Sequence, residues 1–265
     1  MRCLWCHNPE AFEPVMLAYD AEKCVSCGCC EYVCQNGVHA IRDGKHKVLW
    51  EKCRKCLRCI DACKSGALFQ NSRDVSIADL LTEISKDKHF YQRSLGGVTF
   101  SGGEPVLWSD ELQEVLSECK KNGIHTAIET AGNYSFDLLE RLLEYTDLVI
   151  MDCKAYSEEL HKKLTGQSNQ QVLFNMERLS KLHKRMWVRI PVVWNMNIDF
   201  VEMEKIARFL EGKQIEKVEL LPYHRMGIGK YKMYGQEYLI NDAVIPTQAQ
   251  LESCYQILSE HTVPI

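Results

Sequence analysis

With 265 residues, the chain is long enough to build one large domain, or a large domain and a small one. Its net charge of −4 excludes a bulk attraction to nucleic acid or to anionic lipid. No apolar run approaches the roughly 18–20 residues that span a bilayer, and no basic segment precedes an apolar stretch as in a secretory signal. We therefore expect a cytoplasmic protein without a membrane or nucleic-acid partner.

Cysteine is the residue that this chain uses most unusually. Eleven of the 14 cysteines lie in the first 63 residues, and the other three are Cys119, Cys153 and Cys254. A secreted, disulfide-rich module is one alternative, but the remaining residues predict a cytosolic α/β domain, where thiols stay reduced. Crowding at Cys-x2-Cys spacing therefore indicates metal binding. We expect the three later cysteines to be buried structural thiols.

Residues 24–69 contain an internal repeat. The first half reads CVSCGCCEYVCQNGVHAI and the second reads CRKCLRCIDACKSGALF, each with Cys-x2-Cys-x2-Cys-x3-Cys. A [4Fe–4S] cluster of the two-cluster ferredoxin type takes three thiolates from one tight loop and a fourth from the other half. We therefore assign one cluster to Cys24, Cys27, Cys30 and Cys63, and another to Cys53, Cys56, Cys59 and Cys34.

The repeat resembles bacterial ferredoxins over nearly its whole length. Gln35 and Lys64 stand where the ferredoxin motif has proline, which removes a turn constraint but no ligand. Cys29 is surplus to the motif, and we expect it not to be a ligand. Two zinc sites with four cysteines each are the alternative, although the triplet-plus-one spacing fits iron–sulfur clusters better.

From about residue 71, helical and strand-like segments alternate, which predicts parallel βαβ units. Ser76 is predicted to cap a helix that begins beside it. Ser109 is predicted to cap the next helix, and Gly123 to end it. Five strands are predicted, and chemistry in such folds is placed just after strand ends, here at Gly102, Thr130, Lys154 and His224.

The opening RCLWCHNPE, followed much later by TFSGGEP, resembles the radical S-adenosylmethionine (SAM) superfamily. The cluster motif of that superfamily is Cys-x3-Cys-x2-Cys, and Cys3 and Cys6 match its second and third cysteines. The first cysteine would fall upstream of Met1. We expect a truncated product or a start codon assigned too late, with the first barrel strand in the missing piece. A degenerate protein with an incomplete cluster site is the alternative.

Over the whole chain the sequence is similar to glycyl-radical enzyme activating enzymes of the pyruvate formate-lyase activase group. The segments IETAG, MDCK and LLPYHRMGIGKY carry this similarity beyond the cysteines. The resemblance implies an α/β fold: a partial (β/α)6 TIM-like barrel at 1–23 and 71–265, with an inserted α+β ferredoxin-like domain at 24–70.

The same resemblance implies the residues that contact SAM. They are Trp5, His7, Gly102, Gly103, Glu104, Glu129, Thr130, Asp152, Lys154 and His224. Lys154 would lie near the cofactor carboxylate and His224 near the adenosyl group, as the catalytic pair, with a monovalent cation or the ribose near Glu129, Thr130 and Asp152. The alternatives are that Asp152 and Lys154 only pair with each other, and that His224 is an ordinary loop histidine. Arg189 is expected to need an acidic partner, which the sequence does not name.

The activity implied is reductive cleavage of SAM at the cluster of Cys3 and Cys6, after which a 5′-deoxyadenosyl radical takes hydrogen from a glycine of a glycyl-radical enzyme. Three [4Fe–4S] clusters, SAM, flavodoxin or ferredoxin as electron donor, and an anaerobic setting follow from it. Two other functions stay open: a ferredoxin-type electron carrier on a degenerate barrel, and a radical SAM enzyme that acts on a small metabolite.

Overall fold

The computed structural model describes residues 1–265, which form two compact units. The sheet unit comprises Met1–Trp5, Val75–His224 and Ile240–Ile265, and the cysteine unit comprises Cys6–Asp74 and Arg225–Leu239. The domain boundaries expected from the sequence, 1–23 with 71–265 and 24–70, stay a prediction. None of the helices combines the length and the apolar character that crossing a membrane requires.

Nine strands are present in chain order: β1 Leu17–Tyr19, β2 His39–Arg42, β3 Lys45–Val48, β4 Leu68–Gln70, β5 Gly97–Phe100, β6 His125–Thr130, β7 Leu148–Asp152, β8 Met186–Val192 and β9 Lys217–Pro222. The eleven α-helices are α1 Cys29–Val33, α2 Arg58–Asp61, α3 Ile77–Lys86, α4 Lys88–Ser94, α5 Ser109–Lys121, α6 Phe136–Glu140, α7 Glu158–Thr165, α8 Gln170–Lys181, α9 Phe200–Leu210, α10 Ile228–Met233 and α11 Gln248–Glu260.

The sheet unit is built on one parallel sheet in the order β5-β6-β7-β8-β9, so the five predicted strands are confirmed. Strand alternation divides the side chains between two faces. Val149 and Met151 of β7 enter the main core, whereas Leu148 and Ile150 form a small separate cluster with Ala127. The opposite face of each strand therefore remains available for polar groups near the carboxyl ends.

Helix ends in the sheet unit follow local sequence signals. Ser76 caps α3 as predicted, because its side chain accepts a hydrogen bond from the backbone N–H of Asp79. The prediction for α5 was wrong by one residue: Trp108 is the N-cap and Ser109 begins the helix, since a 3-10 turn, Pro105–Trp108, leads directly into it. Gly123 follows the end of α5 with φ +67°.

The cysteine unit contains two small antiparallel sheets, β1 with β4 and β2 with β3. One of its apolar clusters has four buried members, which are Leu17, Cys30, Cys59 and Leu68. The two halves of the repeat give equivalent elements: α1 and β2 in the first half, α2 and β4 in the second. The repeat in the sequence is thus a repeat in structure.

Candidate functional site

Glu104 fixes the loop after β5 against the end of β6. Its Oε1 accepts a hydrogen bond from Thr130 Oγ1 at 2.7 Å, and its Oε2 accepts one from the Ala131 N–H at 3.0 Å. Burial raises the pKa of Glu104, and the hydrogen bonds from Thr130, Ala131 and Val106 oppose that rise. A carboxylate held on several sides has a fixed direction, which suits a residue predicted to contact SAM.

Gly102 lies in the turn that connects β5 to Glu104. Its φ of +120° belongs to a backbone conformation that L side chains rarely adopt, and no atom lies within 4 Å of the position a Cβ would take. Glycine is therefore required there by conformation, and the open space beside it leaves the backbone accessible. Gly103 is likewise exposed.

Asp152 and Lys154 form a direct ion pair after β7, with Lys154 buried. Cys153 between them points into the main core, as strand alternation requires. The lysine backbone is held by Asn197, whose Nδ2 donates to the Lys154 carbonyl at 2.8 Å. This pairing was the simple alternative from the sequence, and it leaves the predicted role of Lys154 toward SAM untested.

Cys3 belongs to the same polar neighbourhood as this ion pair. Burial raises the pKa of the Cys3 thiol, the positive charge of Lys154 lowers it, and the negative charge of Asp152 raises it. The Arg2 and Leu4 N–H groups hold the segment by donating to the Thr165 and Leu164 carbonyls at 2.9 and 3.0 Å. A metal bound to the thiolate would reverse the effect of burial.

Arg189 on β8 has the acidic partners that the sequence did not name. Its guanidinium lies 2.9 Å from Glu129 Oε2 and 2.9 Å from Glu219 Oε2. Burial disfavours the charge of Arg189, but the two carboxylates outweigh it and raise its pKa. Glu219 was missed because only the register β8–β9, which pairs Arg189 with Glu219, brings the two side chains together.

The structure groups some of the predicted SAM residues and separates others. Thr130 donates a hydrogen bond to Glu104, and the charge of Asp152, which pairs with Lys154, raises the pKa of Glu104. Glu129 forms an ion pair with Arg189, which is the register partner of Asp152 on the neighbouring strand. Trp5 is buried, and His224 is exposed after β9. Cys6 and His7 belong to the cysteine unit, where His7 packs against Gly227.

The cysteine unit contains a first cysteine cavity, which is lined by Cys24, Cys27, Cys30 and Cys63. These are the four residues assigned to one cluster from the sequence, including the one exchanged from the other half. Burial raises the pKa of Cys30 to about 11. For Cys63, burial is opposed and outweighed by hydrogen bonds from Ser65 and from the Leu68 and Ala67 backbone, so its pKa is lowered. Cys29 also lines this cavity.

A second cysteine cavity is lined by Cys34, Cys53, Cys56 and Cys59, which are the residues assigned to the other cluster. Burial raises the pKa of Cys59 to about 11. The pKa of the exposed Cys56 is lowered by hydrogen bonds from the Arg58 backbone and side chain. Four thiols around one cavity are the donor set of a [4Fe–4S] cluster, so these residues fit that group.

Two histidines, His39 on β2 and His46 on β3, were not recognised in the sequence. His39 Nδ1 lies 3.0 Å from His46 Nε2, and His46 Nδ1 lies 3.5 Å from Cys24 Sγ. Burial lowers the pKa of His39 to about 4, and it also lowers the pKa of His46. The only sequence signal for them was the alternation of side chains along two strands, which places His39 and His46 on the same face of a hairpin. The three later thiols, Cys119, Cys153 and Cys254, are buried.

Known proteins resemble this chain over most of its length. Residues 1–210 match the model of the radical SAM superfamily. The (2S)-3-sulfopropanediol dehydratase activating enzyme of Klebsiella oxytoca is 34% identical over 270 residues, which cover 98% of this chain and 85% of that protein. The trans-4-hydroxy-L-proline dehydratase activating enzyme of Clostridioides difficile is 36% identical over 268 residues, covering 95% and 85%.

A solved structure supports the same assignment. A domain of pyruvate-formate lyase-activating enzyme from Bacteroides vulgatus aligns with a TM-score of 0.55 and 26% identity, over 64% of this chain and 96% of that one. A radical SAM methyltransferase from Sphaerobacter thermophilus, at 15% identity and a TM-score of 0.54 over 76% of this chain and 60% of that one, supports the fold alone. The chain therefore belongs to the radical SAM superfamily and, within it, to the glycyl-radical enzyme activating enzymes.

Proposed function

We propose that this chain activates a partner glycyl-radical enzyme by taking a hydrogen atom from one of its glycines. The observation that carries the proposal is the similarity, at 34 and 36% identity over almost the whole chain, to proteins that are themselves activating enzymes. SAM and a [4Fe–4S] cluster, when bound, supply the reductive cleavage that yields the 5′-deoxyadenosyl radical. The protein contributes binding, orientation and exclusion of water.

The residues that the family resemblance assigns to SAM carry the first part of the proposal. Cys3 and Cys6 supply two thiolates for the cluster, out of the three in the superfamily motif. Glu104, held by Thr130 and Ala131, receives the ammonium of SAM, and the open backbone at Gly102 and Gly103 permits its close approach. Lys154 balances the carboxylate of SAM, and His224 lies by the adenosyl group. Trp5 and His7 complete the contacts.

The carboxylates at the strand ends carry the second part of the SAM site. Glu129 and Asp152 would contact the ribose or a monovalent cation, with Thr130 beside them. Glu129 already binds Arg189, which also binds Glu219. Because Arg189 fixes the direction of the Glu129 side chain, the remaining carboxylate oxygen has a defined position for a ligand hydroxyl.

The cysteine unit would be a ferredoxin-like insert that holds two further [4Fe–4S] clusters, one in each cysteine cavity, which makes three clusters in total. Electrons would come from flavodoxin or ferredoxin. Arg54, Lys55 and Arg58 surround the second loop with positive charge, and all three are exposed. Complementary charge speeds the encounter with an acidic redox protein. Thiolate-bound clusters need a reducing compartment, so the proposal includes a cytoplasmic location.

The experiment uses anaerobically reconstituted protein with SAM and a chemical reductant. We expect 5′-deoxyadenosine and methionine as products, and a glycyl-radical signal in electron paramagnetic resonance (EPR) when a glycyl-radical enzyme encoded beside this gene is added. The two insert clusters alone would give about eight irons per chain, and a third would raise this to about twelve.

Cys6→Ser and Cys254→Ala are the matched pair of variants. Cys6→Ser should remove the iron above about eight per chain, together with all SAM cleavage, because eight is the content of the two cavities alone. Cys254→Ala removes a buried thiol of the sheet unit and should leave both unchanged. A wild-type protein that holds iron but produces no 5′-deoxyadenosine under any reductant would contradict the proposal.

A further inference from the structure

The two cysteine cavities are related by the repeat, but their surroundings differ at two equivalent positions. An offset of 29 residues, from Cys34 to Cys63, places Leu68 of β4 where the first half has His39 of β2. His46 pairs with Ile41 in the β2–β3 hairpin, and Leu17 pairs with Gln70 in the β1–β4 sheet. Ile41 and Gln70 are themselves equivalent, so Leu17 is the counterpart of His46.

The lining of the cavities agrees with this correspondence. His46 and Leu68 line the first cysteine cavity, whereas Leu17 and His39 line the second. Each cavity therefore has one histidine and one leucine, but the histidine of one cavity stands at the place equivalent to the leucine of the other. The two histidines bond each other at 3.0 Å, so the pair extends from one cavity to the other.

His46 directs its Nδ1 toward the first cavity, at 3.5 Å from Cys24 Sγ. A cysteine that binds iron is a thiolate and has no proton to donate, so His46 Nδ1 must carry the hydrogen. This holds whether His46 is neutral or cationic. Cys30 Sγ is 3.8 Å from His46 Nε2, which is too long to compete with His39 at 3.0 Å.

His39 holds the His46 ring in this orientation. It is 3% exposed, its Nδ1 is occupied by His46, and its Nε2 is buried without a hydrogen-bond partner. Because the only hydrogen-bond partner of the buried His39 ring is His46, the contact holds the His46 ring in one orientation. At metal sites, a hydrogen bond to one ring nitrogen of a histidine fixes the orientation of the ring in this way.

Tyr19 adds a second donor to the same thiol. Its ring packs edge-on against His46 with centroids 4.5 Å apart. Burial raises the pKa of the Tyr19 hydroxyl, and the adjacent Cys24 thiol raises it further, which indicates that the hydroxyl faces that thiol. The counterpart of Tyr19 in the hairpin is Val48, and the counterpart of Cys24 is Cys53. Because Leu17 and Val48 have no polar side-chain atoms, Cys53 lacks both side-chain donors. The backbone donors to the two thiols are the same, from Ser26 and Lys55 at 3.4 Å.

We propose that His46, supported by His39 and assisted by Tyr19, raises the reduction potential of the cluster in the first cysteine cavity above the value it would have without these donors. The inference rests on the proposed function, because it takes the two cavities as cluster sites. Hydrogen bonds to cluster sulfurs stabilise the reduced, more negative cluster and so raise its potential. His46 acts on the cluster through its hydrogen bond to the Cys24 sulfur and is not itself a ligand.

Positive charge around the second cavity acts in the same direction on the other cluster, so the two effects must be separated. Arg54, Lys55 and Arg58 are exposed, and the distance beyond which salt screens exposed charges falls from about 10 Å at 0.1 M to about 3 Å at 1 M. The His46 contact lies in a part-buried site and is screened much less. High salt therefore removes the effect of the basic loop and keeps that of the histidine pair.

The test is an EPR-monitored redox titration of the anaerobically reconstituted full chain at high salt, with iron and zinc measured for each variant. Cys27→Ser and Cys56→Ser assign the signals to the first and second cavities. His46→Leu, which copies the counterpart Leu17, should lower the reduction equilibrium constant of the first-cavity cluster about tenfold, which is 59 mV for a one-electron couple.

Two further variants distinguish a hydrogen bond from packing. His46→Gln retains an N–H donor, so the potential of the first-cavity cluster should fall less than in His46→Leu. Tyr19→Phe should also lower the potential of that cluster by less than His46→Leu does. Leu17→Met, a volume-conserving change at the equivalent position, should move neither potential. If His46→Leu fails to bind iron, Tyr19→Phe and His46→Gln still test the direction of the shift.

Three results would overturn the inference. An unchanged first-cavity potential in His46→Leu and Tyr19→Phe with full iron content would remove the redox role and leave the activating function intact. Zinc in place of one cluster in the wild type would leave no cluster potential to tune there, and zinc held by Cys30, His39 and His46, whose donor atoms lie within 4.8 Å of one another, would make His46 a ligand instead. A wild type that binds no iron would remove the proposed function as well.

Discussion

The two units of this protein differ in what stabilises each of them internally. The sheet unit packs 31 buried side chains into one core around its parallel sheet. The cysteine unit buries far fewer apolar side chains; one of its clusters has four buried members, and two of them, Cys30 and Cys59, are assigned as metal ligands. A core that small rarely stabilises a domain without a staple. The comparison teaches that apolar burial shapes the first unit, whereas the second is expected to depend on the metal ligation proposed for it.

Removing iron should have the largest effect, because it should destabilise the cysteine unit and leave the sheet unit unchanged. Chelation under anaerobic conditions leaves eight thiols without a metal, and we expect the cysteine unit to lose roughly 5 kcal/mol or more of protection, because metal binding and folding are coupled. Hydrogen-exchange mass spectrometry should show the loss in peptides from Cys6–Asp74.

Peptides from β7 and β8 of the sheet unit are the internal control for iron removal. They should keep their protection, because their core contains no assigned ligand. Equal loss of protection in both regions would mean that metal ligation does not distinguish the two units.

The opposite perturbation is a cavity in the core of the sheet unit. Leu116 on α5 is fully buried, so Leu116→Ala should lower the free energy of unfolding by about 2–5 kcal/mol. Thermal or denaturant unfolding measures the change. Iron content should stay at the wild-type level, and the exposed Leu182→Ala should cost less than about 0.5 kcal/mol. Loss of iron from Leu116→Ala would contradict the division between the units.

Arg189 tests whether the polar face of the sheet is also held by its own contacts. Arg189→Met leaves Glu129 and Glu219 without their shared cation, so we expect a cost of about 1–3 kcal/mol and weaker SAM binding. Arg185→Met removes an exposed pair with Glu216 and should cost less than about 1 kcal/mol. Denaturation and equilibrium binding of SAM measure both variants. Equal costs would show that partial burial adds nothing to the Arg189 network.

The smallest effect concerns pH and the end of α11. Hydrogen bonds to Glu211 and Glu204 raise the pKa of His261. Its contribution to stability is therefore present below the unfolded pKa of about 6.5 and is lost as the pH rises through the higher folded value. His261→Gln should remove this slope from a plot of the unfolding midpoint against pH between about 6 and 8. A slope that persists in the variant would assign it to another group.

Sequence patterns alone predicted most of the architecture and the cysteine sites. Alternation of helical and extended periods identified the five parallel strands, because those periods are local properties of the chain. The repeat identified Cys63 and Cys34 as the exchanged residues, and both line the expected cavities. The Ser76 cap was correct, since its signal lies within four residues.

Contacts between distant residues were decided only by the tertiary structure. The start of α5 shifted to Ser109 because the preceding 3-10 turn competes with the cap. The register of β8 and β9 brings Glu219 into contact with Arg189, and the register of the β2–β3 hairpin brings His39 into contact with His46. Register depends on how strands pack against a core and not on the residues of either strand alone. The sequence therefore determined which residue types this protein has for its chemistry, and the fold decided which of them touch.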